Sequence, residues 1–148
     1  ANNISSAYLV RDKFSNSYVL ESDLYLYNQD LIRKYEYHSN FLGFKADRTD
    51  DWCLETKNGI ITKEKVGGLD CYQMCGISYY DKETGKQMEK DIKEVFMSPG
   101  GKERYWEQVM LDVRKNNYKI YLRECKKEDI IEIDTFNELK AIDKTYDV

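Results

Sequence analysis

Short apolar runs alternate along the chain with acidic, Asn-rich or Gly-containing breaks, at spacings that interleave strands with helices. Asn2-Asn3-Ile4-Ser5-Ser6 has the character of a helix start, and Ile4, Tyr8 and Leu9, with Phe14 beyond, give its apolar side through about Arg11. Ser15-Asn16-Ser17 breaks to a strand, Tyr18-Val19-Leu20, that ends in the acidic step Glu21-Ser22-Asp23. Asn28-Gln29-Asp30 opens a predicted short helix from Leu31 to about Tyr37. Phe41 to Ala46 and Trp52 to Thr56 read as two strands separated by Asp47-Arg48-Thr49-Asp50-Asp51. Lys57-Asn58-Gly59 is a hairpin turn, because Asn-Gly tolerates the positive φ angles a tight hairpin needs. The return strand runs from Ile60 to Lys65 and stops at Gly67-Gly68; Tyr72 to Tyr80 is a further buried strand with a break at Gly76.

The second half is more helical. Asp81 caps a long amphipathic helix through about Met97, with Met88, Ile92, Val95 and Phe96 on one side. Ser98-Pro99-Gly100-Gly101 interrupts it, and helix is expected again from Arg104 to about Val113. Tyr118 to Arg123 and Ile130 to Ile133 are strands, and Thr135 caps a last helix through Leu139 and Ile142. Interleaving of this kind, with no repeat or linker, predicts a single α/β domain.

Composition narrows the class. The 148 residues are 41% hydrophobic and 34% charged, the profile of a folded globular chain. A net charge of −4 without a basic run disfavours nucleic acid as a partner. No apolar stretch has the length of a bilayer span and no signal-peptide pattern is present, so no membrane partner and a cytoplasmic location are expected. Cys53, Cys71, Cys75 and Cys125, with His38 as the single histidine, do not make a zinc framework; reduced, mostly buried thiols are the expectation.

Two acidic strand ends carry the candidate chemistry. In an open α/β sheet, ligands gather outside the carboxyl ends of strands, where Asp23 and, from Ile130-Ile131-Glu132-Ile133-Asp134-Thr135, Asp134 would point. Taken alone, such a residue is more often an ordinary turn aspartate. Together, two could hold a hard cation against a phosphate. On a strand, Glu132 and Asp134 share one face.

An ordered set of segments resembles the nucleotidyltransferase family, and within it the bacterial cholinephosphate cytidylyltransferases. It comprises Asn2-Asn3-Ile4-Ser5-Ser6, Leu20-Glu21-Ser22-Asp23, Asp51-Trp52, Gly76-Ile77-Ser78-Tyr79-Tyr80, Pro99-Gly100-Gly101 with Tyr105-Trp106-Glu107, and Glu132 through Leu139. The resemblance implies a Rossmann-like mixed sheet on which a phosphate oxygen of phosphocholine attacks the α-phosphorus of CTP, releasing pyrophosphate and forming CDP-choline. It also implies that Asp23 and Asp134 are catalytic ligands of Mg2+. The family's first strand and Gly-rich, Arg-containing phosphate loop have no counterpart here, since Gly67-Gly68 and Gly100-Gly101 lack the flanking strand and helix. The expectation is a partial domain over residues 1–148, matching the carboxyl-terminal two-thirds of the family. An uncovered sheet edge would then be filled by an amino-terminal segment or another chain.

A trimethylammonium offers no N–H to donate and is held best by aromatic faces with carboxylates nearby. Trp52, Tyr105, Trp106, Glu107 and Glu132 are the candidates for that pocket. From residue pattern alone, Trp52 and Trp106 pack between sheet and helix as most tryptophans do. The resemblance shifts the reading toward a pocket, chiefly for Trp52 and Glu132. A cytidylyltransferase for another small phosphoryl or phosphonyl amine, such as 2-aminoethylphosphonate, keeps both aspartates with less need of two tryptophans. A non-catalytic binding module is the alternative outside enzymes.

Overall fold

The protein is described from a computed structural model covering residues 2–146. Two very long strands dominate it, β3 (Asn40–Lys57) and β4 (Ile60–Tyr80), joined at a hairpin where Asn58 and Gly59 take φ of 54° and 76°. The sequence predicts each as two strands. In both cases the breaks, Asp47 to Asp51 and Gly67-Gly68, remain in the ladder, with Thr49 opposite Gly68 and Trp52 opposite Val66 across a bulge. A ribbon wet on its outer side needs no apolar alternation there, which is why these residues resemble a loop.

The ribbon also folds back on itself. Cys53 pairs with both Lys65 and Gln73, and Leu54 with both Glu64 and Tyr72, so the tip half of the hairpin lies beside its base. Strand β1 (Ser17–Leu20) adds antiparallel to the end of β4, and β5 (Tyr121–Glu124) adds parallel to the start of β3. The sheet order is β1-β4-β3-β5, and Ile60 at the hairpin tip pairs with Tyr121. The sheet is mixed, as expected, and β1 is an edge strand with no further strand beside it among the described residues.

A second ribbon, β2 (Leu24–Leu26) with β6 (Ile130–Glu132), is antiparallel. Leu24, Leu26 and Ile130 pack on buried Leu42, Cys75 and Ile77, which docks the small ribbon against the large sheet. On the opposite side lies α2 (Lys82–Met97), capped by the Asp81 carboxylate accepting the Thr84 N–H. Its Met88, Ile92 and Val95 join α1 (Ile4–Leu9) and the aromatic group Phe14, Phe41, Tyr80 and Trp106 in the main core. The chain closes with α3 (Phe136–Ile142), under a reciprocal Thr135–Glu138 capping box.

Two predicted helices do not form. Residues 31–37 hold only the end of a single turn, Gln29–Leu31; beyond it Glu36 is fixed by Arg33 and Arg123, so side-chain ion pairs replace helical hydrogen bonds. Between Arg104 and Val113 the regular part is one π turn, Val109–Val113, because residues 104–108 are held by side chains, with Tyr105 N–H on Gln108 and Trp106 N–H on Asn3. Strand β5 begins at Tyr121 rather than Tyr118. All four cysteines are free and buried. No described helix is long and apolar enough to cross a membrane.

Candidate active site

The two ribbons meet around an open cavity of about 880 Å³. Its acidic end is built by backbone pairing. The Glu21 N–H donates to the Gly76 carbonyl at 3.0 Å, extending the β1–β4 ladder by one residue. The chain then turns through Asp23 into β2, and the Asp23 carbonyl accepts the Ile133 N–H at 2.9 Å. Leu24 stands opposite Glu132, so Asp23 and Asp134 leave the β2–β6 ribbon at the same end, and both line the cavity with Glu132. The sequence places Glu132 and Asp134 on one strand; the strand ends at Glu132, and Asp134 sits just past it.

One carboxylate oxygen from each of Glu21, Asp23 and Glu132 lies within 4.8 Å of the others. The charges of these acids act on one another. Burial raises Glu132 to about 6, aided by the charges of Asp134, Asp23, Glu21 and Asp51. Glu21 is raised by burial and then by Asp23 and Asp51. A small hard cation bonds oxygen at about 2.0–2.1 Å, so trans ligands stand about 4.2 Å apart. All-oxygen donors, close spacing and mutual repulsion fit such an ion.

The other end is aromatic. Trp52 sits at the β3 bulge, its N–H donating to Asp51 Oδ1 at 2.7 Å, while Thr49 and Gln73 brace the turn from behind. Tyr105 meets it edge-on, ring centroids 5.3 Å apart and planes at 68°. Glu107 completes this end: only 2% exposed, it lines the cavity, and its Oε2 has no hydrogen-bond partner among the described residues. Burial lifts Glu107 to about 7; a backbone hydrogen bond opposes the lift and the Glu21 charge adds to it.

Of the residues expected from the sequence, Asp23, Asp134, Trp52, Tyr105, Glu107 and Glu132 all line this one cavity. Trp106 does not. Its ring stacks on Phe14 at 5.6 Å and Phe41 at 6.4 Å and meets Tyr80 edge-on at 6.0 Å, deep in the core. Adjacent residues in this irregular segment point apart, so Tyr105 and Glu107 reach the cavity while Trp106 fills the space beneath. Glu21, Asp51 and Gln73 were not singled out. Glu21 carried a usable signal, an acid directly after a strand, whereas Gln73 is brought in by the fold of the ribbon alone.

No protein-family model matches the chain. It is 26% identical over 148 residues to the choline-phosphate cytidylyltransferase of Streptococcus pneumoniae, covering 97% of this chain and 62% of that protein. It is likewise 26% identical over 153 residues to the 2-aminoethylphosphonate cytidylyltransferase of Lancefieldella rimae, covering 98% and 60%. The chain thus spans about three-fifths of the length of these relatives. Among solved structures, the CTP:phosphocholine cytidylyltransferase from Streptococcus pneumoniae superposes with a TM-score of 0.83 at 24% identity, over 97% of this chain and 63% of that one. The chain therefore has a nucleotidyltransferase fold and resembles the choline-phosphate cytidylyltransferases over nearly all of its length.

Proposed function

We propose that the chain is the acceptor-binding and metal-binding part of a cytidylyltransferase that transfers CMP from CTP to phosphocholine. The observation that carries this reading is a cavity with two chemically different ends. Close carboxylates lie at one end, and at the other an aromatic corner stands beside a buried carboxylate. Phosphocholine has the same polarity, a phosphate at one end and a permanent cation at the other.

Glu21, Asp23, Glu132 and Asp134 are the residues that would hold Mg2+, which when bound neutralises charge around the α-phosphate of CTP. The remaining work belongs to side chains. Trp52 and Tyr105 present ring surface to the methylated nitrogen, each contact contributing about 0.5–2 kcal/mol according to how dry it is. Glu107 supplies charge from below. Fixing both ends of the acceptor aims its phosphate oxygen at the α-phosphorus; the new P–O bond forms as the bond to pyrophosphate breaks.

Among the described residues, seven carboxylates line the cavity, Glu21, Asp23, Asp51, Glu107, Glu128, Glu132 and Asp134, against one cation, Lys127. That excess keeps a primary ammonium in play, and 2-aminoethylphosphonate is the second acceptor to consider. The test is CTP-dependent turnover of phosphocholine and 2-aminoethylphosphonate in direct competition, with the chain in its natural context. Preference for phosphocholine supports the first reading, preference for the phosphonate the second, and pyrophosphate release with neither removes both.

A further inference from the structure

Trp52 takes little support from packing. Its ring joins neither buried core cluster of the described residues and meets Tyr105 only edge-on. It stands where β3 bulges, with Asp50 and Asp51 both set against Gly67 between the pairs Thr49–Gly68 and Trp52–Val66. A bulge re-aims the side chain beside it. Whatever fixes this bulge therefore fixes the indole.

Gln73 holds the bulge from both sides. Because the ribbon folds back, its place on β4 lies opposite Cys53, the residue after Trp52. Its side chain reaches the residues before Trp52. The Thr49 hydroxyl donates to Gln73 Oε1 at 2.8 Å, and Gln73 Nε2 donates to Asp51 Oδ2 at 3.4 Å. The Asp51 N–H donates to Thr49 Oγ1 at 3.1 Å and closes the ring of bonds. The other Asp51 oxygen, Oδ1, takes the Trp52 N–H at 2.7 Å. Thr49 is buried within this ring, and Gln73 lines the cavity beside Asp51 and Trp52. The polarity of the ring is determined by its members. A hydroxyl has one proton to give and a carboxylate only accepts, so the amide turns its oxygen to Thr49 and its nitrogen to Asp51. Glutamate at position 73 would set a like charge against Asp51, and methionine would fill the space with neither bond.

We infer that Gln73 is a positioning residue for acceptor recognition: by gripping the β3 bulge on both sides of Trp52 it holds the indole face in place for a quaternary ammonium. The inference rests on the acceptor reading above for the ligand and on the ring of hydrogen bonds for the grip. A side chain that is already ordered loses no further freedom when the ligand arrives, which favours binding. The cation–π contact also needs the cation over the ring face, within about 6 Å of its centroid. A displaced indole loses that contact, whereas a primary ammonium can turn its N–H donors to the carboxylates. Gln73 thus biases the site toward the methylated acceptor and leaves the chemistry at the acidic end alone.

The experiment pairs 19F NMR with turnover, using the chain in its natural context labelled with 5-fluorotryptophan. Parent, Q73M, Q73E and T49V are compared, and Trp52→Phe identifies the Trp52 resonance. Q73E keeps the shape of glutamine and loses the donor, and T49V keeps the shape of threonine and loses the hydroxyl. The Trp52 resonance should shift or broaden in all three, with the other tryptophan resonances unmoved and the melting temperature near the parent's. In turnover, Q73M should raise the KM for phosphocholine roughly 3- to 30-fold, with kcat and the KM for CTP within about twofold of the parent. The KM for 2-aminoethylphosphonate should rise less. On a W52A background Q73M should add little, because a residue acting through Trp52 has nothing left to position. A parent-like Trp52 resonance in Q73M and Q73E overturns the grip. An unchanged phosphocholine KM, an equal rise with both acceptors, or the same rise on the W52A background overturns the role in recognition. Absence of any cytidylyl transfer by the parent would remove the acceptor reading, while the ligand-free NMR still decided the grip.

Discussion

The carboxylate of Glu21 occupies the space in which any side chain at Gly76 would stand. A Cβ built at Gly76 collides with Glu21 Oε2, lies 2.9 Å from Cδ and 3.2 Å from Leu24 Cδ1, and Gly76 itself takes φ of +48°. The strand break legible in the sequence at Gly76 is thus a seat for a site carboxylate.

Gly76→Ala should therefore act on the site more than on the fold. The left-handed backbone conformation costs an alanine about 1–2 kcal/mol, and the displaced Glu21 loses its place beside Asp23 and Glu132. Mn2+ binding followed by electron paramagnetic resonance should weaken at least severalfold, with a drop in melting temperature of a few degrees. Unchanged Mn2+ affinity would show that Glu21 is no part of the cation site.

Asp23→Ala and Asp134→Ala should each nearly abolish Mg2+-dependent CDP-choline formation while leaving the fold intact. Without a cation these carboxylates only repel their neighbours, so Asp23→Asn should leave thermal stability the same or slightly raised. Near-normal turnover in either alanine variant would remove the two-aspartate reading.

The sequence shows the site's parts better than its walls. Asp23, Glu132 and Asp134 are legible because strand ends and helix caps leave strong local marks, and α2 emerges residue for residue from Asp81 and the Met88, Ile92, Val95 stripe. Trp106 is misplaced because a segment without regular helix or strand has no periodicity to tell its facing from that of Tyr105 and Glu107. Glu64 leaves no mark at all. Its burial follows from Cys53 and Leu54 pairing with two parts of β4 at once, a long-range event no window of sequence contains.

Stability should decline as pH rises from about 5.5 to 8.5. Glu107 and Glu64 ionise at about 7 and about 8 in the fold, against about 4.3 in an unfolded chain. Raised acids hold their protons longer in the native state, so their contribution is fully present below the unfolded value and is lost as pH climbs through the folded one. For Glu107 this is on the order of 2–4 kcal/mol. Glu36 and Asp81 are lowered instead, and the stability they supply is lost only at more acidic pH. Urea unfolding across the range checks this: E64Q and E107Q should flatten the slope, and a parent that grows more stable with pH would contradict the two raised acids.

Glu36 should be a structural lock. Its side chain is 1% exposed and bridges Arg123, itself 14% exposed, at 2.7 Å, with Arg33 and the Tyr18 hydroxyl also on the carboxylate. Burial alone would raise this acid, but the bonds from Arg33 and Tyr18 and the Arg123 charge hold it below the usual range. Glu36→Ala leaves Arg123 buried without its partner and should cost about 3–5 kcal/mol. Removing both should cost less than the sum of the single losses in a double-mutant cycle. Strict additivity would mean that the bridge contributes nothing.

The two tryptophans should separate cleanly. Trp106→Ala removes a ring stacked among Phe14, Phe41 and Tyr80 and should destabilise the chain by about 3–5 kcal/mol. Trp52 lies at the cavity against Tyr105 and packs on neither buried core cluster. Its replacement by alanine should leave the melting temperature within a few degrees of the parent. The loss should appear in acceptor use instead, because the metal-holding acids meet phosphates while Trp52 meets the far, methylated end. One or two lost cation–π contacts are worth about 1–3 kcal/mol, or roughly a 5- to 150-fold fall in kcat/KM for phosphocholine. The effect on CTP binding should be small. Glu132→Gln should push the same way, with added loss of metal affinity from its place beside Asp23. Competition between phosphocholine and 2-aminoethylphosphonate makes the comparison sharp, since a primary ammonium has N–H donors for Glu107 and Glu132 and depends less on a ring. Trp52→Ala should therefore shift preference toward the phosphonate. Equal loss with both acceptors, or none with phosphocholine, would take Trp52 out of the acceptor pocket and leave the ammonium to the carboxylates alone.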